Sequence, residues 1–466
     1  MASIIPLAVT QAWLDCARAT GFNFGADTAL VAVQHMLRQT VDLCGTAGAM
    51  GLPLKNIFAL GKVYSNSAPV IRILRTLGVT VINTTVPAPG EFHSYFQRDI
   101  NRLWNIAAEA LSQRSIKRVI VLDDAGACIA NVPADVLRQY SVCAVEQTSS
   151  GIFLFADEPP PFPVISWART AVKLEIGGPI FAHTFVQKLH RQFLHGRSLH
   201  GEQAGVIGLG SIGRGVVELV SRQGGEVWFY DPNPDPYIPA SLQTRIRRVD
   251  SLEELMLRCD YVLGCSGRNP FKGKWPLAHK PGLKLLSASG GDQEFGPIIN
   301  DLKSKPDFRV AADTWDITSQ DGPSGPIRVA YLGYPYQFVS RGPDAAPAQI
   351  VQLETGGLLA ALIQARLHLN LNEHGPAESS GIHRVSPLAQ RFVYDRWLRT
   401  MKELGINLTD VFGHDRETLN AAQHDAWFTT RTEPRPGHDY TPVKSVEQMM
   451  AQITCSAEAV TGPTAD

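Results

Sequence analysis

Apolar runs of four to six residues recur along the chain, separated by amphipathic stretches with helical spacing. The first such runs place strands at Asn56–Leu60, Val79–Asn83, Arg118–Asp123, Val142–Glu146 and Val164–Trp167. Between them, Ala68–Leu77 and Asn101–Ser112 carry a helical period. A proline-rich stretch, Glu158–Pro163, cannot be helical and marks a turn. A long helix is expected over Thr170–Leu194, where the chain passes into a second region. That region has apolar runs at Ala204–Ile207, Val227–Tyr230, Asp260–Leu263, Leu283–Ser287 and Arg309–Ala312, with a capping-box helix start at Ser251–Glu254. An apolar helix over Ala348–Leu369 is expected to return the chain to the first region.

Alternation of strand and helix implies an α/β fold of two Rossmann-like, doubly wound parallel-sheet domains with a cleft between them, followed by a helical C-terminal tail. The expected division is a substrate-binding domain over 1–180, completed by 350–400, an NAD-binding domain over 181–347, and a tail over 400–466. No internal repeat or low-complexity tract interrupts this plan.

The strongest chemical signal lies in the second region. The first strand enters Gly208-Leu-Gly210-Ser-Ile-Gly213, a helix follows, and the next strand ends on Asp231, about 20 residues on, as a dinucleotide fingerprint requires. Gly208 permits a tight turn, Gly210 lets a diphosphate approach the backbone, and Gly213 lets helix and strand pack closely. Ser211 and Ile212 open the helix, whose free N–H groups face the phosphates. Asp231 suits a ribose hydroxyl and repels a 2′-phosphate, so NAD is the expected cofactor rather than NADP. Cys265, Ser266 and Gly267 follow another strand and are expected to line the same site.

The chain has 466 residues, 44% hydrophobic and 19% charged, with a formal net charge of −1. That balance, without basic clusters, speaks against nucleic acid as a partner. The start has no basic region before its short apolar run, and no run reaches the ~18 apolar residues of a membrane span. Seven scattered cysteines without CxxC spacing read as reduced thiols, so a cytoplasmic location is expected. His183, His190, His195 and His200 lack supporting carboxylates or cysteines, and no metal site is expected.

Other segments, taken in order, resemble the S-adenosyl-L-homocysteine hydrolase family: Leu77-Gly78, Leu122-Asp-Asp-Ala-Gly126, Glu146-Gln-Thr-Ser-Ser-Gly151, Pro163-Val-Ile165 with Lys173 ten residues later, the fingerprint, and Gly333-Tyr-Pro335. The resemblance implies permanently bound NAD between two domains, oxidation of a ribose hydroxyl, and a homo-oligomer, a dimer or tetramer, with the tail (Arg435, Tyr440) reaching a neighbouring subunit. It places Lys173 and Asp124 as catalytic residues and Thr148, Ser149 and Ser150 against cofactor and ribose. It also marks departures. Lys62 and Tyr334 stand where the family has histidines, as does Gly290. Gln147 replaces a glutamate, Gly177 and Gly178 an Asp-Asn pair, Ala182 a cysteine and Asn66 an acidic residue. Each acid or base contributes about 10²- to 10⁴-fold, so thioether hydrolysis is not expected.

The expected activity is therefore an NAD-dependent oxidoreductase acting at an alcohol or ketone carbon of a small polar, nucleoside-like substrate. Lys173, Asp124, Lys62 and Tyr334 are its candidate catalytic residues, and Tyr64, Asn66 and Gln147 its substrate contacts. The alternatives are an inactive NAD- or nucleoside-binding regulator and a lyase or hydrolase using tightly held NAD. The fingerprint half is also similar to D-2-hydroxyacid dehydrogenases. Those enzymes place an arginine soon after the fourth strand, and Ser287–Asp292 has none, which sets that reading behind the others.

Overall fold

The computed structural model describes residues 6–155, 158–238, 242–273, 275–339, 342–344, 346–371, 381–412 and 444–461. Its first sheet begins with β1 (Thr28–Val33), β2 (Ile57–Leu60), β3 (Thr80–Ile82), β4 (Arg118–Asp123), β5 (Ser141–Glu146) and β6 (Pro163–Ser166). The second contains β7 (Gln203–Ile207), β8 (Glu226–Tyr230), β9 (Ile246–Arg248), β10 (Tyr261–Gly264), β11 (Leu283–Ser287), β12 (Arg309–Val310), β13 (Ile317–Gly322) and β14 (Gly325–Val329). A last strand, β15 (Gly381–Arg384), returns to the edge of the first sheet beside β6. The α/β class with two doubly wound sheets is thus what the alternating pattern implied.

Strand order is β3-β2-β1-β4-β5-β6-β15 in one sheet and β9-β8-β7-β10-β11-β14-β13-β12 in the other. Both orders reverse direction beside their first strand, at β1/β4 and at β7/β10. Open α/β sheets bind ligands at such a switch point, outside the carboxyl ends of the strands. The first sheet is parallel throughout, and its inner strands β1 and β2 are buried along their whole length and β4 and β5 beyond their first residue, hence their apolar runs. The second sheet turns antiparallel only at its edge, where β13 and β14 form a hairpin over the Gly322–Gly325 turn.

Between the sheets, the expected helix over 170–194 is present but widens twice into π turns, at Lys173–Gly177 and Leu189–Phe193. Pro179, just inside the α-helix Gly178–Lys188, has no N–H for an i→i−4 bond, and the first wide turn precedes it. The helix Ala348–Leu371 is apolar around its circumference because it is buried on all sides. Neighbours press so closely on it that a Cβ at Gly357 would come within 2.1 Å of the Trp167 ring, and one at Gly356 within 2.2 Å of Val9. Among the described residues no helix is long and apolar enough to cross a membrane, and six cysteines are free.

Candidate active site

The Gly208 turn has the geometry a dinucleotide needs. Gly208 adopts φ +91°, and a Cβ there would stand 2.9 Å from Ser266 Cα. A Cβ at Gly213 would stand 1.9 Å from the Gly208 carbonyl oxygen. Around Gly210, by contrast, a Cβ would meet nothing within 4 Å. The helix Ser211–Arg222 starts here with no side-chain cap, so its first N–H groups are left for an anion. Asp231 closes the cradle: its carboxylate accepts hydrogen bonds from Leu209 N at 2.7 Å and Asn233 N at 2.8 Å. The residues fit a dinucleotide. Ser211 is committed elsewhere, its hydroxyl donating to the Leu174 carbonyl, and Ile212 packs against the core.

Cys265, Ser266 and Gly267 face this turn from β10. The turn is held by Glu294, a buried carboxylate that accepts from Ser266 N and Ser266 Oγ, both at 2.7 Å, and from Ser287 Oγ at 3.0 Å. Gly267 N donates to Ser289 Oγ at 3.0 Å. Burial raises the Cys265 thiol well above its usual pKa, so it is no nucleophile.

At the other switch point, the ends of β1, β2, β4 and β5 gather a buried polar network. Lys62 Nζ pairs with Asp124 Oδ1, and Gln147 donates to Asp124 Oδ2. His35 Nε2 lies 3.1 Å from Asp124 Oδ2, and His35 Nδ1 lies 2.7 Å from Ser65 Oγ. Gln34 donates to Gln147 Oε1 at 2.9 Å. Burial alone would raise the Asp124 carboxyl, but Lys62 and His35 together hold it well below the usual carboxylate range. Burial would lower the Lys62 ammonium, yet Asp124 more than offsets this and the net shift is upward. Both groups therefore stay charged, and neither exchanges protons near neutrality. Burial lowers the His35 imidazole against the pull of Asp124, so it is neutral at pH 7. His35 is also the member most open to the crevice, with 24% of its side chain exposed against 3% for Lys62 and 8% for Asp124.

Two further carboxylates lie behind the network at paired positions of β4 and β5. Burial pushes Asp123 up to about 6, and burial with the adjacent Asp123 raises Glu146 well above its usual value. Glu146 Oε1 accepts from Thr148 N at 2.7 Å and Thr148 Oγ1 at 2.6 Å, while Thr148 Oγ1 accepts from Gly151 N and caps the short helix Ser149–Leu154. Ser150 donates to Thr148 Oγ1 at 3.1 Å.

The remaining sequence candidates surround this network. Lys173, in the first π turn, pairs with Glu354 at 2.7 Å, and Trp167 Nε1 donates to the same oxygen at 2.9 Å; the Lys173 charge still reaches His35. Tyr64 is buried, its phenol pushed up to about 12 by burial, and its oxygen accepts from Gly291 N at 3.3 Å across the crevice. The Tyr334 ring packs, tilted, 5.1 Å from that of Tyr64, inside an aromatic wall with Phe92, and burial raises its phenol further still. Asn66 turns away from the network and donates to Thr84 Oγ1 at 2.7 Å. The sequence reading missed His35, Gln34, Ser65, Glu294 and Glu354. Arg435 and Tyr440 lie outside the described residues.

The first sheet's switch point lies against residues of the second unit. His35 stacks on Phe338 at 4.4 Å, Tyr331 Oη donates to the Tyr64 carbonyl at 2.9 Å, and Lys303 pairs with Glu91 at 3.1 Å.

Residues 181–270 match the family model described as D-isomer specific 2-hydroxyacid dehydrogenase, NAD binding domain. The match covers β7 to β10 of the second sheet, and the cofactor is NAD. An uncharacterized protein of Mycobacterium tuberculosis, in two strains, is 28% identical over 298 residues, or 62% of this chain. The chain spans 56% of the length of those relatives. Two solved structures align at a TM-score of 0.33, too low to extend the likeness beyond the figures themselves. A D-isomer specific 2-hydroxyacid dehydrogenase family protein from Aeromonas salmonicida is 11% identical and covers 76% of this chain and 99% of its own. A protein from Thermus thermophilus is 14% identical and covers 72% and 96%.

The family match overturns the resemblance to S-adenosyl-L-homocysteine hydrolases. That resemblance rested on glycines, prolines and carboxylates at strand ends, which any doubly wound sheet needs for its turns and ligand-facing loops. Their order along the chain follows from the strand order, and so carried less family information than it promised.

Proposed function

We propose that this chain is an NAD-dependent oxidoreductase transferring a hydride at the hydroxyl-bearing carbon of a small polar substrate of the hydroxyacid class. In this reading residues 1–180, completed by 350–400, bind the substrate, and residues 181–347 bind NAD. The observation that carries it is the dinucleotide cradle in one sheet's unit together with a neutral histidine in the other, His35, oriented by Asp124 and stacked on Phe338. NAD, held by the Gly208–Gly213 turn and Asp231, supplies the hydride acceptor or donor.

The chain's own residues manage the proton. Asp124, anionic, can only accept, so His35 Nε2 carries the hydrogen and Nδ1 holds the lone pair. Ser65 Oγ has a second acceptor within reach, the Lys62 carbonyl at 3.3 Å. Its swing to that oxygen frees Nδ1 to take the proton of the substrate hydroxyl. Asp124 then stabilises the imidazolium, and Lys62 keeps Asp124 ionised throughout. Lys173 adds positive charge beside the reacting oxygen, and Tyr64, Tyr334 and Gln147 wall the crevice against water.

Absorbance near 340 nm tests the reading. Purified protein with NAD and a panel of 2-hydroxy acids, or NADH and 2-oxo acids, should show a change with at least one member. No change with any of them, by a protein that binds NAD, overturns it.

A further inference from the structure

Phe153 lies one helical turn beyond Ser150 on the helix Ser149–Leu154, so its ring shares a face with the Ser149 and Ser150 hydroxyls. Two guanidinium groups gather on that ring. Arg169 Cζ lies 6.0 Å and Arg268 Cζ 4.9 Å from its centre. They come from opposite sides of the crevice: Arg169 follows β6 of the first sheet, and Arg268 follows β10 of the second. Ser266, two residues before Arg268, backs the Gly208 turn, so this cluster stands beside the NAD cradle. Three other arginines of the two units pair with carboxylates: Arg118 with Asp27, Arg214 with Glu175 and Arg328 with Asp316. Among the described residues neither Arg169 nor Arg268 has a carboxylate partner. Two cations drawn to one ring without a counter-ion repel each other, and an anion between them would relieve the repulsion. The planar guanidinium fork matches paired carboxylate or phosphate oxygens, and an aromatic face beneath it adds a cation–π contact.

We propose that Arg169 and Arg268, with the Ser149 and Ser150 hydroxyls, form a clamp for a carboxylate or phosphate group on the substrate. The proposal rests on the oxidoreductase reading for the identity of the substrate, and it deepens that reading: the substrate is anionic, and its anion sits at the Phe153 side of the crevice. With one arm in each sheet's unit, binding draws the two units together over the reacting carbon.

Calorimetry on the NAD-loaded protein tests this without turnover, with oxalate and inorganic phosphate as probes. At least one probe should bind, and Arg169→Ala and Arg268→Ala should each weaken it about tenfold or more, as loss of a charge-assisted pair implies. Thermal melts that match the wild type would show that both variants fold. The probe that binds better names the group, carboxylate or phosphoryl. Binding of neither probe, or equal binding by wild type and both variants, overturns the clamp. So does a parallel fall in NAD affinity in Arg169→Ala, which would assign the arginines to a cofactor phosphate. A clamp that fails while 2-hydroxy acids still change the 340 nm signal leaves the oxidoreductase reading standing; a clamp that holds while that signal stays silent overturns only the latter.

Discussion

His35 Nε2 stands 3.1 Å from Asp124 Oδ2, while the other Asp124 oxygen holds Lys62. One carboxylate therefore orients the imidazole and is itself kept ionised by an ammonium buried in the same crevice. The arrangement divides labour: Lys62 and Asp124 keep their charges, and His35, its imidazole lowered by burial, stands neutral beside them.

His35→Asn should consequently lower kcat about 10²- to 10⁴-fold, the usual contribution of a general acid or base. NAD affinity should be unchanged, because the cradle lies in the other sheet's unit. Stopped-flow absorbance at 340 nm with the best hydroxyacid, beside NAD titration by fluorescence, checks both halves. An unaltered kcat would remove His35 from the chemistry.

Lys62→Met should act on stability. It strips a buried carboxylate of its cation, and breaking a buried pair in this way costs about 3–5 kcal/mol. Lys62→Met with Asp124→Leu removes both charges and should recover much of that loss, since the lone ion is the expensive species. Urea unfolding of wild type, the single variant and the double variant measures it.

Gly210→Ala and Gly213→Ala should separate binding from folding. The Gly210 Cβ enters space free of protein atoms, so the variant should melt with the wild type. Its methyl would push the diphosphate off the backbone N–H groups and weaken NAD about 10- to 100-fold, the worth of a charge-assisted hydrogen bond. The Gly213 Cβ strikes the Gly208 carbonyl, so that variant should lose about 1–3 kcal/mol of stability even without cofactor. Calorimetric melting and NAD titration of both variants give the comparison. A destabilised Gly210→Ala with normal NAD affinity would reverse the assignment.

How much of this was legible beforehand depends on whether a residue had a strand to hang from. Lys62, Asp124 and Gln147 follow runs recognisable as strands, so the rule that ligands gather at carboxyl ends reached them. His35 follows β1, whose six residues TALVAV are too short for periodicity to separate helix from strand, and without that central strand the histidine has no address. The available signal was an apolar run ending in Gln34-His35. Glu354 was harder, since only the fold reveals why a carboxylate sits in an otherwise apolar helix: Lys173 and Trp167, 181 and 187 residues away, are its partners. The β13–β14 hairpin hid because its strands are polar and one contains Pro326, the composition of a sheet edge rather than a core strand.

His368 gives the pH dependence of folding its clearest handle. It is 1% exposed, its ring lies 4.9 Å from that of His383, and its Nδ1 has no hydrogen-bond partner among the described residues. Burial, then His383, depresses the imidazole from 6.5 to about 3. The unfolded chain therefore binds a proton below pH 6.5 that the folded chain refuses until about pH 3. Stability from this group is intact above pH 6.5 and falls progressively as pH drops toward 3, a loss of order several kcal/mol. His368→Leu removes the titrating group and leaves no orphaned partner, so its urea midpoint should fall less steeply between pH 6.5 and 4 than that of the wild type. Parallel midpoint-against-pH curves for the two proteins would show that His368 is protonated in the fold as readily as outside it, and the depressed imidazole would have to be abandoned.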